Sequence, residues 1–361
     1  MELYRLGEVE WADSQLFYHA LPRLGREGVV LCRPASPYLC LGYHQDLAWE
    51  VDREYCDRRG LPLFRREVGG GLVYLDRQQV FFQVVVHRHR PGLPARREEF
   101  YRRFLEPARL ALAEFGIAAR HRPPCDLWVG ERKISGNGAG EIEDHYVFVG
   151  NLLLDFPVEE MVGPLRASAA FKERAAAAMA ANLTTMRREL GFTPDPAAVE
   201  EALIAGFGEL FADLSPAVPD AALLARKEAL RERLLDPGWL AEPGRRPAHR
   251  EVKIAEGLYL SERRVAAAGA EVVALLLLRE GRVEELSFEP SPALPGDSGH
   301  RLARKLRGRQ VEDPELENIW STWRAGYPGA LGWRQLHQLL RGRPPEKEAG
   351  AGADRAVGLS G

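Results

Sequence analysis

The chain has 361 residues, of which 45% are hydrophobic and 28% charged, and its formal net charge is -3. This length exceeds one ordinary hydrophobic core, so we expect two domains, and the near-neutral charge argues against a general nucleic-acid-binding protein. The four cysteines never approach CxxC spacing, which excludes a zinc ribbon and a dithiol redox motif.

No apolar run approaches the roughly 18 residues of a membrane span. The opening stretch MELYRLGEVEW also lacks the basic-then-apolar pattern of a secretion signal. The sequence therefore predicts a cytoplasmic protein that neither enters a membrane nor binds nucleic acid.

Short apolar runs alternate with amphipathic stretches in the first part of the chain. Helices are predicted at about 12–21 and 51–59, and 96–115 is predicted to form one helix or two, with Pro107 as its one helix breaker. The predicted strands are GVVLCRP, YLCLGY, LPLFRRE, GLVYLD and QVFFQVVVH. Short strands joined by Gly and Pro turns indicate a mixed or antiparallel sheet with helices on one face.

Further strands are predicted at 126–129, 133–135 and 146–154, and the alanine-rich stretch 168–235 is predicted to be helical. A Pro/Gly cluster follows at 236–247, which is typical of a domain boundary.

Beyond the cluster, EVVALLLLREGRVEELSFEP predicts two strands, with helices at about 300–306 and 314–323. We therefore predict an α+β protein: a first domain over 1–243, with a mixed or antiparallel sheet flanked by helices, and a small α/β domain over 244–343. The tail over 344–361, poor in apolar residues, is predicted to be disordered.

The stretch FRREVGGGLVYLD, residues 64–76, places Arg65 and Arg66 beside three consecutive glycines. Glycine lets main-chain N–H groups approach phosphate or carboxylate oxygens, and the arginine fork suits phosphate. The same run can equally form a simple hairpin turn. It is neither a Walker A loop, because no Gly-Lys-Ser/Thr follows, nor a dinucleotide fingerprint.

A second glycine-rich stretch, GERKISGNGAG at 130–140, contains a single lysine, Lys133. By itself such a lysine is typical of an exposed hairpin. Two glycine-rich cationic segments in one sheet-rich domain together predict a site for a phosphate-bearing ligand.

RREVGGGLVYLD resembles the Arg-Arg-x-x-Gly-Gly-Gly-x-Val-Tyr/Phe-x-Asp signature of lipoate–protein ligases, and GERKISGNGAG resembles their Gly-x-Lys-x-Ser-Gly-x-Ala segment. The flanking stretches LGYHQDLAWEVD, CDLWV, GNLLLDF and NLTTMRREL are similar to the family as well. The resemblance covers about 25–240, and more loosely the C-terminal domain. It implies the fold of the biotin and lipoate protein ligase superfamily, with 1–243 as the catalytic domain and 244–343 as an accessory domain.

The resemblance implies a lipoate–protein ligase that uses ATP and Mg²⁺ to activate lipoate or octanoate as acyl-AMP. The acyl group would then pass to a lysine of a lipoyl carrier, either the lipoyl domain of a 2-oxoacid dehydrogenase E2 subunit or the glycine-cleavage H protein. No carboxylate in the sequence identifies itself as a metal ligand.

The resemblance also assigns residues. Lys133 would be catalytic, bridging the acyl oxygen and the α-phosphate, and Arg66 would contact ATP. The residues that would line the nucleotide and acyl site are Gly69, Gly70, Gly71, Leu72, Val73 and Tyr74. Three further candidates are Arg65, Asp126, which is either a magnesium ligand or a strand-end hydrogen-bond acceptor, and His44, which lies near the acyl pocket or is structural.

The sequence departs from the family pattern at two places. Where the family reads His-Gly-Thr, this chain has Val149 and Asn151, and its usual Ser-Ala-Gln is replaced by NGAG at 137–140. These changes leave acyl preference and carrier choice open.

Two alternatives to the ligase therefore stay open. One is an octanoyl- or lipoyltransferase acting through a thioester on Cys125, and the other is a non-catalytic relative that binds a lipoyl carrier. The CDLWV context of Cys125 and the extra C-terminal domain favour the ligase. Biotin ligation is less favoured because a Gly-Arg-Gly-Arg-like loop is absent from the sequence.

Overall fold

The computed structural model describes residues 1–342. Its contacts divide the described residues into two units, one made of Met1–Arg166 with Met179–Arg246, and one made of Ala167–Ala178 with 247–342. The first unit ends three residues after the predicted boundary at 243, and it lacks the segment Ala167–Ala178, which was predicted to belong to the first domain. The tail predicted to be disordered, 344–361, lies outside the described residues.

Strands occur in both units. In chain order they are β1 (Glu2–Val9), β2 (Gly28–Pro34), β3 (Tyr38–Leu41), β4 (Leu63–Arg65), β5 (Val73–Leu75), β6 (Gln79–His87), β7 (Ala119–Arg122), β8 (Asp126–Val129), β9 (Arg132–Ser135), β10 (Asn137–Ile142), β11 (His145–Leu153), β12 (Ser215–Pro216), β13 (Arg250–Ala255), β14 (Leu258–Ala267), β15 (Ala270–Arg279) and β16 (Arg282–Phe288).

The helices are likewise distributed over both units. They are α1 (Asp13–Ala20), α2 (Leu47–Glu50), α3 (Arg53–Arg59), α4 (Arg97–Glu114), α5 (Val158–Val162), α6 (Ala169–Asn182), α7 (Met186–Leu190), α8 (Pro196–Leu210), α9 (Ala221–Leu234), α10 (Pro237–Leu240), α11 (Ser298–Leu306), α12 (Leu316–Ala325) and α13 (Trp333–Arg341), with a 3₁₀ turn at Pro22–Leu24. Within residues 1–342, no helix combines the length and the apolar character needed to cross a membrane.

The main sheet of the first unit has six strands in the order β10-β11-β6-β2-β1-β12. Strand β1 runs parallel to β2 and β12, whereas β2, β6, β11 and β10 pair antiparallel. The predicted mixed sheet is therefore confirmed. The prediction of helices on one face was wrong, because α4 and α8 pack on the face that contains Phe82, whereas α1 and α9 pack on the face that contains Phe81. Strand β6 is buried along nearly its whole length, which explains why its sequence is a continuous apolar run rather than an alternation.

Helices α4 and α8 cover this sheet through a cluster of aromatic rings. Phe82 of β6 lies 6.0 Å from Phe148 and 6.1 Å from Phe207, and Phe104 lies 5.8 Å from Phe148, between ring centroids. Aromatic pairs at these separations add to the burial of apolar area. Of the two predictions for 96–115, the single helix is correct, because α4 continues through Pro107.

Two three-stranded sheets of the first unit, β4-β3-β5 and β7-β8-β9, carry the glycine- and lysine-containing segments. Strand β3 pairs parallel with β4 and antiparallel with β5, and β8 pairs antiparallel with β7 and β9. The glycine run therefore lies between two strands of a small sheet, whereas the lysine-containing segment begins on a small sheet at β9 and continues into β10 of the six-stranded sheet.

The second unit contains an antiparallel sheet in the order β13-β14-β15-β16 together with α11, α12 and α13. The two strands predicted around the Arg-Glu-Gly turn are confirmed as β15 and β16. Strands β13 and β14 and helix α13 were not predicted.

Several predicted boundaries in the first unit were wrong for local reasons. The helix predicted over 51–59 begins at residue 53, because the Asp52 carboxylate accepts a hydrogen bond from Tyr55 N at 3.0 Å and caps it. The stretch 168–235 is not continuously helical, since β12 and several turns interrupt it. Strand β10 escaped prediction because NGAGEI has no apolar alternation, and its pairing with β11 holds it extended.

The crossing of α4 and α8 generates the first prediction. A Cβ at the buried Gly206 would lie 2.8 Å from Pro107 Cα, so Gly206→Ala forces the helices apart. We expect the free energy of unfolding to fall by about 1–3 kcal/mol, as measured by urea unfolding followed by circular dichroism.

Gly208→Ala on the same helix is the matched control, since a Cβ there meets no atom within 4 Å and the residue is exposed. It should raise the free energy of unfolding by about 0.4–1 kcal/mol. Equal effects of the two substitutions would contradict the packing described here.

Candidate active site

The two glycine-rich segments lie side by side in the structure. A Cβ added to Gly140 would lie 2.8 Å from Val68 Cγ1, so the lysine-containing stretch passes directly against the residue before the glycine run. Residues about 70 positions apart in the sequence are thus in contact.

Lys133 lies on β9 and is directed by the strand beside it. Its Nζ is 2.9 Å from Asp126 Oδ1 on β8, with the lysine side chain 16% exposed and the aspartate side chain 1% exposed. A carboxylate held this deeply fixes the direction of the ammonium group. An ammonium group has three hydrogens to donate, so it can contact a ligand as well as the carboxylate.

The main chain around Lys133 is supported by the segment NLTTMRREL. Thr184 N donates to Lys133 O at 2.8 Å, and Leu183 forms a parallel bridge with Lys133. Arg132 Nη2 donates to Glu189 Oε1 at 2.9 Å. The backbone that carries the lysine is therefore fixed on the side opposite β8.

Arg66 shapes the glycine loop. Its guanidinium donates to Gly69 O at 2.8 Å, to Gly71 O at 2.9 Å and to Cys40 O at 3.1 Å, and the residue is 8% exposed. These contacts use the planar fork of arginine, which a lysine cannot reproduce. Sequence analysis assigned Arg66 to ATP; in the structure it holds the loop, and the ATP contact stays a prediction.

Gly70 is the position of the loop whose backbone conformation requires glycine. Its φ is 98°, which disfavours any side chain, and its carbonyl oxygen would lie 1.9 Å from a Cβ at Gly42. A Cβ at Gly69 or Gly71 would meet no atom within 4 Å. The loop is thus packed at its centre and open on either side, as a surface for a ligand requires.

The three residues after the glycines have different environments. Leu72 is 9% exposed and Tyr74 6%, whereas Val73 is 36% exposed. Burial raises the pKa of the Tyr74 hydroxyl above its usual range, so this phenol stays protonated. Val73 is the member of the three that presents an apolar side chain to the surface.

Arg65 has a structural environment. Its guanidinium donates to Tyr43 O at 2.9 Å, Leu240 O at 3.0 Å and Glu242 O at 2.8 Å, and it is 1% exposed. Burial lowers its pKa from the usual value. The first arginine of the motif therefore anchors the segment around α10 to β4.

His44 lies on the surface next to this segment. Its ring is exposed and packs edge-on to Tyr43, with 5.0 Å between centroids, while its carbonyl accepts from Arg245 N at 2.7 Å. The ring of His44 is therefore exposed, and its position near the acyl pocket stays a prediction.

All four cysteines are buried and unbridged. Cys125 is 8% exposed and packs in the main hydrophobic cluster, and its Sγ lies 3.9 Å from Asp126 Oδ1. A reactive thiolate requires access and positive surroundings. Burial beside a carboxylate is the opposite environment, which agrees with the interpretation of Cys125 as a strand residue.

Sequence analysis missed the polar side chains that join the two segments. Asn151 Oδ1 accepts from Gly136 N at 2.7 Å, and Asn151 Nδ2 donates to Gln79 Oε1 at 2.7 Å. Gln79 Nε2 in turn donates to Tyr74 O at 3.1 Å. The one signal in the sequence for these contacts was the departure of Asn151 from the family pattern. That departure was interpreted as a change in the acyl site.

Within residues 1–342, no three His, Cys, Asp or Glu side chains are grouped so that they could hold a metal ion. Asp126, the nominated magnesium ligand, is 1% exposed and faces the ammonium of Lys133. This environment does not fit an open metal ligand. It fits the other interpretation, a hydrogen-bond acceptor at the start of a strand.

The fold is that of the lipoate ligases. A bipartite lipoate protein ligase from Thermoplasma acidophilum, studied with its E2 lipoyl domain, superposes with a TM-score of 0.59 at 21% identity, over 68% of this chain and 97% of that one. The chain belongs to the family described as lipoyl protein ligase A/B catalytic domain, whose model matches residues 8–208.

Curated relatives carry two different activities. Lipoate–protein ligase 1 of Staphylococcus aureus is 26% identical over 166 residues, 46% of this chain and 48% of that protein. The octanoyltransferase LipM of Kyrpidia tusciae is 29% identical over 227 residues, 56% of this chain and 82% of that protein. The chain thus spans about half the length of the ligase and most of the transferase.

The role of Arg66 in the loop generates a prediction. Arg66→Lys removes the fork that holds three carbonyl groups, so amide hydrogen exchange over 67–72 should accelerate by about tenfold or more. The free energy of unfolding should fall by about 1–3 kcal/mol.

Arg77→Lys serves as control, because Arg77 is 59% exposed and pairs with Glu8 on the surface. It should change the free energy of unfolding by less than about 0.5 kcal/mol. Unchanged exchange in the Arg66 variant would show that the loop keeps its shape without the fork.

Proposed function

We propose that the chain is a lipoate–protein ligase, which uses ATP to activate lipoate or octanoate as acyl-AMP and transfers the acyl group to a lysine of a lipoyl carrier. The observation that carries the proposal is the ammonium of Lys133, paired with Asp126 at 2.9 Å, in a segment whose Gly140 passes against Val68, the residue before the open glycine loop. A cation beside open backbone suits two negatively charged reactants.

In the first step, the acyl carboxylate attacks the α-phosphate and pyrophosphate leaves. Lys133 bridges the two oxygens that approach each other, and so offsets their repulsion and the charge that develops in the transition state. Asp126 and the Thr184 contact keep the ammonium in place, so little reorganisation is needed when the reactants bind.

In the second step, the carrier lysine attacks the mixed anhydride and AMP leaves. Lys133 stabilises the same oxygens again, now on the leaving phosphate. This route needs no protein nucleophile, which agrees with a site made of glycine backbone and a lysine.

The glycine loop supplies the surface on which the acyl-adenylate lies. Gly69 and Gly71 leave room on either side of Gly70, and Leu72, Val73 and Tyr74 continue the surface along β5. Arg66 fixes the loop and, where a carbonyl contact is exchanged for phosphate, also contacts ATP. Mg²⁺ is expected with ATP from the family resemblance.

The acceptor we propose is the lipoyl domain of a 2-oxoacid dehydrogenase E2 subunit or the glycine-cleavage H protein. The Thermoplasma ligase that shares the fold was studied with its E2 lipoyl domain, which supports a carrier of this class.

An octanoyl- or lipoyltransferase is the second candidate, because the LipM relative matches over a larger share of this chain than the ligase relative does. In this enzyme Cys125 would carry the acyl group as a thioester. Its burial and its carboxylate neighbour weigh against that role.

Lipoate-dependent exchange of pyrophosphate into ATP tests the ligase. Lys133→Ala should lower the exchange rate by about 10²–10³-fold, because a charge aimed at the transition state is removed. Cys125→Ser should retain the rate within about threefold, since no thioester is involved.

The outcomes separate the candidates. Absence of exchange together with Cys125-dependent acyl transfer from an acylated carrier would establish the transferase instead. Absence of both activities with carrier binding retained would leave a non-catalytic binding protein.

Mass spectrometry of a carrier domain provides an independent measurement. After incubation with the enzyme, ATP and a mixture of lipoate and octanoate, the carrier should gain one acyl group on its lysine, and the mass identifies which. A carrier in which that lysine is replaced by arginine is the control. Acylation without ATP would contradict the adenylate route.

A further inference from the structure

Asn151 of β11 connects the main sheet to Gly136, the residue that follows the lysine strand β9. Its side-chain oxygen accepts from Gly136 N at 2.7 Å, and its own N–H donates to Gly136 O at 3.1 Å. Gly136 lies three residues after the lysine and directly follows the last residue of β9. Two hydrogen bonds from a single residue therefore fix where this strand ends.

The side-chain nitrogen of Asn151 is linked through Gln79 to Tyr74, which follows the glycine loop. Asn151 Nδ2 donates to Gln79 Oε1 at 2.7 Å, and Gln79 Nε2 donates to Tyr74 O at 3.1 Å and to Asp76 Oδ1 at 3.4 Å. Gln79 is fully buried, so these contacts are shielded from water. A continuous chain of hydrogen bonds thus runs from the end of the glycine motif to the end of the lysine strand.

Asn137 holds the same strand from its other side. Asn137 Nδ2 donates to Cys125 O at 2.8 Å, next to Asp126, and its Oδ1 accepts from Ser135 Oγ at 2.9 Å. The hydrogen bonds of Asn137 therefore connect the start of β8 to the end of β9, the two strands that carry Asp126 and Lys133.

The packing leaves little room for either asparagine to move. A Cβ at Gly136 would lie 3.1 Å from Asn151 Oδ1, and a Cβ at Gly150 would lie 2.6 Å from Asn137 Oδ1. Both amides lie against glycine backbone in the directions given by these hydrogen bonds. Neither amide is free to serve as a contact for an acyl chain.

We propose that Asn151 is a positioning residue, which acts through Gly136 and Gln79 to hold Lys133 at the correct distance from the glycine loop. This inference rests on the proposed adenylation by the same site. It assigns the change at Asn151 to the placement of the catalytic lysine, and no longer to the choice of acyl chain.

Asn151→Ala should lower kcat for lipoate-dependent pyrophosphate exchange by about 10- to 100-fold, because a misplacement of about 1 Å costs this much. KM for ATP and for lipoate should change less than about threefold, since the contact of the lysine is strongest with the charge that develops in the transition state. The ratio of rates with lipoate and octanoate should stay the same as in the unmodified enzyme.

The Lys133→Ala background gives the decisive comparison. If Asn151 acts through the lysine, adding Asn151→Ala to Lys133→Ala causes no further loss of kcat beyond about twofold. Gln79→Leu should reproduce part of the loss, and Gln79→Leu combined with Asn151→Ala should be no worse than Asn151→Ala.

Two further variants control for folding. Asn318→Ala, at an exposed position of α12, should leave kcat unchanged. Asn151→Asp keeps the shape and the acceptor for Gly136 N while it loses the donor to Gln79, so kcat should fall about three- to tenfold at an unchanged unfolding temperature. This variant carries the test if Asn151→Ala does not fold.

The results separate this inference from the function on which it rests. Exchange in the unmodified enzyme with full kcat in both Asn151 variants would overturn the positioning role and leave the ligase intact. Equal losses of kcat in the presence and absence of Lys133 would also overturn it. Absence of exchange in the unmodified enzyme would instead overturn the proposed function.

Discussion

The candidate site depends on backbones that approach more closely than side chains allow. Gly140 passes against Val68, and the carbonyl of Gly70 points at Gly42, at distances that a Cβ would occupy. The first contact brings β10, which follows the lysine strand β9, against the glycine loop, and the second packs the loop against the end of β3. The glycines therefore serve two purposes, since some allow the segments to meet and others leave a surface open.

The cations of the two motifs have distinct environments, although the sequence makes them look alike. Arg65 and Arg66 are buried and donate to main-chain carbonyl groups, so their guanidinium groups stabilise the local backbone. Lys133 is partly exposed and paired with a buried carboxylate, so its position is fixed while its surface stays accessible. Burying an arginine is costly unless its donors are satisfied, and the carbonyl groups satisfy them.

The family has members with two chemistries, and the difference between them is where the activated acyl group resides. In the proposed transferase route it would reside on the sulfur of Cys125, and in the proposed ligase route on the phosphate of AMP. In this chain the thiol closest in sequence to the lysine motif is buried beside Asp126, while the lysine and the glycine surface are accessible. This contrast in access, more than the sequence identity to either group of relatives, favours the ligase.

The sequence by itself determined the α+β class, because apolar patterns act locally. It left one helix or two open for α4, and it predicted a ligand site from the glycine run and Lys133 in one domain. It missed β1, which mixes apolar and charged residues, and also β7 and β10, whose residues are polar or glycine-rich. Neighbouring strands hold all three extended. The tertiary structure alone decided that Arg66 faces carbonyl groups and that Gln79 and Asn151 join the two motifs. Such contacts link residues far apart in the chain, and no local pattern of residue types encodes them.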